Sequence, residues 1–348
     1  GSWDATVSLN AGAGSTVTWD STSAQTVLAT TYYNLVLDQA GAKVLGGVTS
    51  VDGYFALYGG SLDTHNFDLT VAGSFSIGAA ATFTMTGGTL SLQTSFNNSG
   101  AFNGGSTTEK VRVEGTSQVG WYDDSGSTFV NILEFAGSGG AFIPDPIYAS
   151  SLDLIDGVVT CDTIIVSGSV SCNSTSCNST PPFGSWIDGY LEMNFAASNS
   201  TTVPIGTFNS WAPAEITASA AGSLAVSAVE GPHPFSTGPN MLGIYWDIVG
   251  IVGITTADIT FYYADPMHVG GGTEANYVVA HHDGASWTRF GTIDAVGDTV
   301  TNTSTPTATM AGTWTAGEPS SVGQPKLKFT SIAGGFNPQQ FVPFDVII

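Results

Sequence analysis

Charge is what this sequence has least of. Only 10% of its 348 residues are charged, against about 25% in an ordinary globular domain. Helices draw on Glu, Lys, Arg and Gln, so the shortage argues against a helical protein. In their place stand 44 Gly and abundant Ser and Thr, a palette suited to strands and tight turns. Basic residues are scarcest: six Lys+Arg face 28 Asp+Glu, for a formal charge of −22. Lys43, Lys110, Arg112, Arg289, Lys326 and Lys328 are scattered, whereas binding to phosphates needs clustered cations. The reading therefore expects no nucleic-acid partner and no anionic membrane surface. The acidic excess reads as mutual repulsion that keeps a secreted chain in solution.

Long apolar runs are missing too. The longest, Tyr245–Ile254, is interrupted by Asp247 and Gly250 and is too short to cross a bilayer, so no membrane span is expected. No signal segment is visible, as in a mature chain after its removal. Also missing are a GxSxG elbow, a P-loop, an HExxH pair and a GxGxxG turn in strand context. Cysteine is limited to Cys161, Cys172 and Cys177. An odd number implies one bridge and one spare thiol. Cys172 with Cys177 would close the short CNSTSC loop; Cys161 with Cys172 is the competing pair. An oxidising compartment fits either, and with no His nearby zinc is disfavoured.

What is present is alternation. YFALYGGSLDT from Tyr54 and TFTMTGGTLSL from Thr82 align without gaps at an offset of 28 residues. Phe55 then matches Phe83, Leu57 matches Met85, and Gly59-Gly60 matches Gly87-Gly88. Apolar residues two apart share one face of a strand, and Gly pairs supply the φ > 0 that a sharp corner needs. Such coils bury their apolar side only against their neighbours, which is the logic of a solenoid. The alternative, an antiparallel sandwich, lacks a dominant hairpin signal here. The expected fold class is all-β: an N-terminal parallel β-solenoid (β-helix), then an immunoglobulin-like β-sandwich, then an extended C-terminal strand.

The boundaries follow composition. Residues 1–185 form the solenoid. Pro181-Pro182, after a Ser/Thr/Asn-rich stretch, stops strand pairing. Residues 186–320 hold nine alternating segments with turn signals every 8–14 residues, the basis of the sandwich expectation. Residues 321–348 are a linker and an apolar tail, FVPFDVII. Phe341, Val342, Phe344, Val346, Ile347 and Ile348 are its assembly candidates, because an apolar strand-prone end needs a groove in its own domain or in a neighbour.

The segments YNLVLDQAGAKVLGG (33–47), GGSLDTHNFDLTVAGSFSIGAAATFTMTGGTLSL (59–92) and SGAFNGGST (99–107) resemble the repetitive secreted β-solenoid surface proteins of Bacteroidetes, Chlorobi and related bacteria. GPNMLGIYWDI (238–248), DITFYYAD (258–265) and EANYVVAHHDGASWTRFG (274–291) look like the β-sandwich that follows such arrays. The resemblance implies export, surface display and a structural or adhesive role, and it carries over no catalytic residue. No C-terminal sorting domain of that family is evident after Pro319.

Several clusters need a reading of their own. His281-His282-Asp283 suggests metal, but adjacent strand residues point to opposite faces. Asp283-Gly284 instead reads as a hairpin turn. Asp123-Asp124 reads as a surface turn; it lacks the alternating oxygens of a calcium loop, so structural calcium is the only cofactor left open. Lys110, Arg112 and Glu114, with Glu109, are the only local match to a polysaccharide lyase or hydrolase, and cross-paired solvated charges explain them more simply. Trp121, Tyr122, Trp186, Trp211 and Trp287 are candidate sugar platforms, although Trp246 and Trp287 suit a core. Asn97, Asn173, Asn178, Asn199 and Asn302 begin N-x-S/T sequons. The function expected is a structural subunit of an extracellular filament or surface assembly, non-enzymatic, built head to tail from copies of itself. A carbohydrate-binding adhesin that engages surface glycans is the alternative.

Overall fold

A computed structural model of the chain describes residues 12–104, 108–126, 128–172 and 184–323. Cys177, Asn173, Asn178 and the tail candidates Phe341, Val342, Phe344, Val346, Ile347 and Ile348 lie outside the described residues. The chain is all-β, and its first part is a β-solenoid of about 8 turns.

Each turn carries three strands, and like strands of successive turns pair in parallel. The first ladder runs through Thr16–Trp19, Asn34–Leu37 and on to Ser185–Phe195. Several strands are long enough to turn a corner and serve two ladders, as Phe55–Asp63 and Ser74–Met85 do. Gly60 makes one such corner. It sits at φ +70°, and a Cβ there would meet the carbonyl oxygens of Gln39 and Gly41 at 2.5 Å, so only glycine fits.

Alternation sends every second side chain inward, and the register stacks like on like. In the first ladder Leu35 pairs with Phe55, Phe55 with Phe75, Phe75 with Phe96 and Phe96 with Trp121. The rings touch: Phe55 and Phe75 are stacked at 4.7 Å, and Phe96 meets Trp121 edge-on at 4.7 Å. Phe83 and Phe102 from the second ladder join this spine at 5.4 Å from one another, with Phe83 5.1 Å from Phe75. Each buried ring contributes about 1.5–3 kcal/mol from area alone, so the spine adds to the cohesion supplied by the buried Leu, Val and Ile around it.

The 28-residue offset is not the coil repeat. Phe55 pairs with Phe75 and Leu62 with Phe83, spacings of 20 and 21 residues. The sequence alignment matched one coil plus a corner, equating a residue of the first ladder with one of the second. Both positions point inward, so their chemistry is alike although their faces differ.

Some buried positions of the solenoid are polar. Lys43, 1% exposed, lies between Gln25 and Leu62 in the second ladder. Its Nζ donates to the carbonyls of Gln39 and Gly41, at 3.4 and 3.0 Å. Burial lowers its pKa, with Asp38 and Asp20 opposing. Asn98 and Asp123 pair across the first ladder, and Asn98 Nδ2 donates to Asp123 Oδ1 at 3.0 Å. Asp123 Oδ2 accepts the Thr128 amide at 3.0 Å. Asp123 is therefore buried and pins a loop, which corrects its reading as part of a surface turn; Asp124 alone is on the surface.

Ser185–Phe195 closes the solenoid by pairing in parallel with Gly157–Val166. Its other edge pairs antiparallel with Gly222–Glu230. The expected boundary at residue 185 thus falls on the first residue of a strand shared by both regions. From there one sheet continues through Ile244–Val252, Gly312–Gly317, Val278–His282 and Trp287–Thr292, all antiparallel. A second sheet has the order Ser200–Val203, Ala214–Ala218, Thr256–Tyr262, Thr299–Pro306. The two meet at Trp246, which stacks on Phe261 at 4.8 Å. Buried indole N–H groups need acceptors: Trp246 Nε1 donates to Ala212 O at 2.9 Å and Trp314 Nε1 to Met310 O at 3.0 Å. Of the nine alternating segments expected as strands, the one at 307–314 (TATMAGTW) is a strand only in its second half; Thr307–Met310 is one helical turn. Among the described residues no helix is long and apolar enough to cross a membrane.

Candidate functional site

The solenoid's outer face carries the charges singled out in the sequence. Lys110 Nζ lies 2.5 Å from Glu134 Oε2, and Arg112 Nε is 3.1 Å from both Glu114 and Glu134. Register places Arg112 opposite Glu134 on the adjoining strand. Each cation is matched by a carboxylate within the ladder. Glu109, expected with this group, is instead fully buried, and its Oε1 accepts the Asn131 amide at 3.1 Å.

His281 and His282 flank a hairpin, as the sequence implied: Val278–His282 pairs with Trp287–Thr292, and Asp283 accepts the amides of Ala285 and Ser286. His281 packs on Trp314 at 4.7 Å and donates through Nε2 to Ala311 O. His282 packs on the other face against His233, Phe235 and Trp287. His233 Nδ1 accepts the Phe235 amide, so its Nε2 donates to Thr313 Oγ1 at 2.6 Å. Burial, with His282 nearby, pushes the His233 pKa down to about 4.

Of the proposed platforms, Trp121 and Trp186 are buried at 0% and 1% exposure, which overturns their reading as surface aromatics. Trp121 packs against Phe96 inside the solenoid, whereas Trp186 is covered by the chain at Gly206–Thr207. Tyr122 is exposed and lies 6.4 Å from Phe142. Trp287 is half-buried and donates to Phe235 O at 3.1 Å. Asn97 is half-buried, Asn199 exposed, and Asn302 half-buried with its amide donating to Thr305 Oγ1 at 2.7 Å. Cys172 is in a disulfide and Cys161 is a free thiol, so the competing Cys161–Cys172 pairing is absent. Burial, and then Asp188 and Asp162, push the Cys161 thiol well up.

Two clefts were not visible in the sequence. The short hairpin Gly206–Thr207 and Ser210–Trp211 stands between two clefts. One, about 480 Å³, is lined by Trp211, Glu215, Tyr262, Tyr263, Asp265 and Asp298 among others. The other, about 440 Å³, takes in Cys161, Asp188, Tyr190, Phe208, Ser227 and Glu230 at the solenoid junction. Gly206 lets the hairpin press on Trp186, since a Cβ would come within 2.7 Å of that ring. Trp186 Nε1 donates to Thr207 O at 2.8 Å, and its ring backs Trp211 at 6.2 Å.

In the larger cleft Tyr262 donates to Glu215 Oε2 at 2.9 Å, and Ser200 Oγ donates to Glu215 Oε1. These bonds hold the Glu215 pKa below the usual carboxylate range, Ser200 first. Tyr263 donates to Glu274 Oε1 at 2.5 Å. Asp298 is shifted upward, by burial first and then by Asp265, Glu274 and Asp294. Ser210 and His268 meet here at 2.8 Å. His268 Nδ1 accepts the Ala264 amide, so Nε2 carries the proton and donates to Ser210 Oγ. That polarity is the reverse of a base activating a nucleophile.

No family model, curated protein or solved structure matches the chain.

Proposed function

With the fold and its sites as the only guide, we propose that the chain is a stiff structural subunit of an extracellular filament or cell-surface assembly. The observation that carries this reading is the strand Ser185–Phe195, paired on one edge to the solenoid and on the other to the antiparallel sheet. A common strand leaves no linker between the two regions, so the subunit behaves as one rod with a terminal block. In this reading the block is an immunoglobulin-like sandwich. The segment FVPFDVII docks in the next copy, giving open head-to-tail growth. Secretion agrees with the low charge and the disulfide. Electron microscopy of the purified full chain and of a variant lacking residues 341–348 tests it. Filaments from the full chain and folded single particles from the truncation are expected. Equal polymerisation of both, or no polymer from either, overturns the linkage. A carbohydrate-binding adhesin is the second reading, favoured by the aromatic wall of the larger cleft.

A further inference from the structure

We propose that the larger cleft binds a small organic cation, a protonated amine or quaternary ammonium with short apolar substituents, between the Trp211 and Tyr262 rings and the carboxylates of Asp265 and Asp298. This inference is independent of the assembly reading.

Size and shape come first. A cleft of about 480 Å³ lies in the range that encloses small ligands, roughly 300–1,000 Å³. Its aromatic walls are fixed before anything binds. Trp211 is backed by buried Trp186, and Tyr262 is tethered through its hydroxyl to Glu215. Met267 is also on the lining and is 59% exposed, a soft surface suited to alkyl groups.

Charge decides the class of ligand. Glu215 is satisfied by Tyr262 and Ser200. Asp265 and Asp298 line the cleft, and among the described residues their carboxylates have neither a hydrogen bond nor an ion pair. No basic side chain lines the cleft. The described cations are committed elsewhere: Lys43 to carbonyls, Lys110 and Arg112 to glutamates, and Arg289 to the carbonyls of Val322 and Pro319. The chain itself leaves this negative charge uncompensated, and a neutral ligand would leave it so. Among the described residues no group of three or more His, Cys, Asp or Glu is placed to hold a metal ion. A diffuse organic cation meets both walls at once, attracted to ring faces and to carboxylates.

Calorimetric titration of the folded full chain with choline and with n-butylamine tests the assignment. Saturable binding is expected, weakened by added salt. Trp211→Ala and Asp298→Asn should each weaken it roughly tenfold, with near-UV circular dichroism showing that both variants keep the native fold. The neutral choline isostere 3,3-dimethylbutan-1-ol should bind far more weakly. Binding of that alcohol as tightly as choline, binding unchanged in both variants, saturation by neutral cello-oligosaccharides instead, or no saturation by either amine would each overturn it.

Discussion

The solenoid and the antiparallel region use the same alternation of inward and outward residues, yet of the two clefts described one lies wholly in the antiparallel region and the other at its junction with the solenoid. In the solenoid every rung repeats its neighbour's backbone, so side chains stack on their own kind, as Phe55, Phe75 and Phe96 do. Its outward charges find partners one rung away. In the antiparallel region strands differ in length and swap between two sheets, and the short Gly206–Trp211 hairpin interrupts the packing. Clefts form where the repetition fails. Regular stacking spends its residues on cohesion; irregular connection frees some for recognition.

The largest expected effect breaks the solenoid side of this contrast. Phe75 touches Phe55, Phe83 and Phe96, so Phe75→Ala should cost about 3–5 kcal/mol in chemical denaturation. A cost below about 1 kcal/mol would mean that the rungs slip to fill the gap. The next effect separates the regions by pH. Four of the five histidines, His233, His268, His281 and His282, lie in the antiparallel region, and burial lowers the pKa of each. The unfolded chain binds those protons more readily than the folded one. The stabilisation is therefore complete above about pH 6.5 and is lost as pH falls below it, for His233 down to about 4. For His233 alone this amounts to roughly 3 kcal/mol. Asp188 and Asp298, raised by burial, act in the opposite sense. Acid should accordingly loosen the antiparallel region first, seen as hydrogen exchange rising there before it rises in the solenoid. His233→Gln should flatten the pH dependence. Uniform loss of protection in both regions would erase the distinction. The smallest effect concerns the outer ladder: Lys110→Ala should change stability by less than about 1 kcal/mol, because Glu134 keeps Arg112.

The all-β class and the solenoid were legible because alternation and Gly corners are local. Register was not. All three inward faces accept Phe, Leu, Val and Ile, so Phe55 aligned as well with Phe83 as with its true partner Phe75. Burial of single residues was also hidden: Trp121 turns into the solenoid, and Trp186 is covered by the distant Gly206–Trp211 hairpin, neither of which the flanking residues signal. Asp123 looked like a turn residue because its partners Asn98 and Asp145 come from neighbouring coils. The hairpin at His281–Ser286 was legible because DG between two strands is a local signal. The larger cleft draws Trp211, Tyr262 and Asp298 from three distant segments, and nothing in any one of them signals the other two.

The strand Ser185–Phe195 has a mechanical consequence. Along Leu191–Met193 its backbone is hydrogen-bonded on both edges, so tension applied across the junction is shared by a row of ladder bonds rather than carried by one contact. A pull on one half must therefore disrupt the core of the other before the two can part. The seam between the architectures becomes a strong point of the chain, and failure is expected to start elsewhere, at the outermost strand Trp287–Thr292, which has one partner strand instead of two.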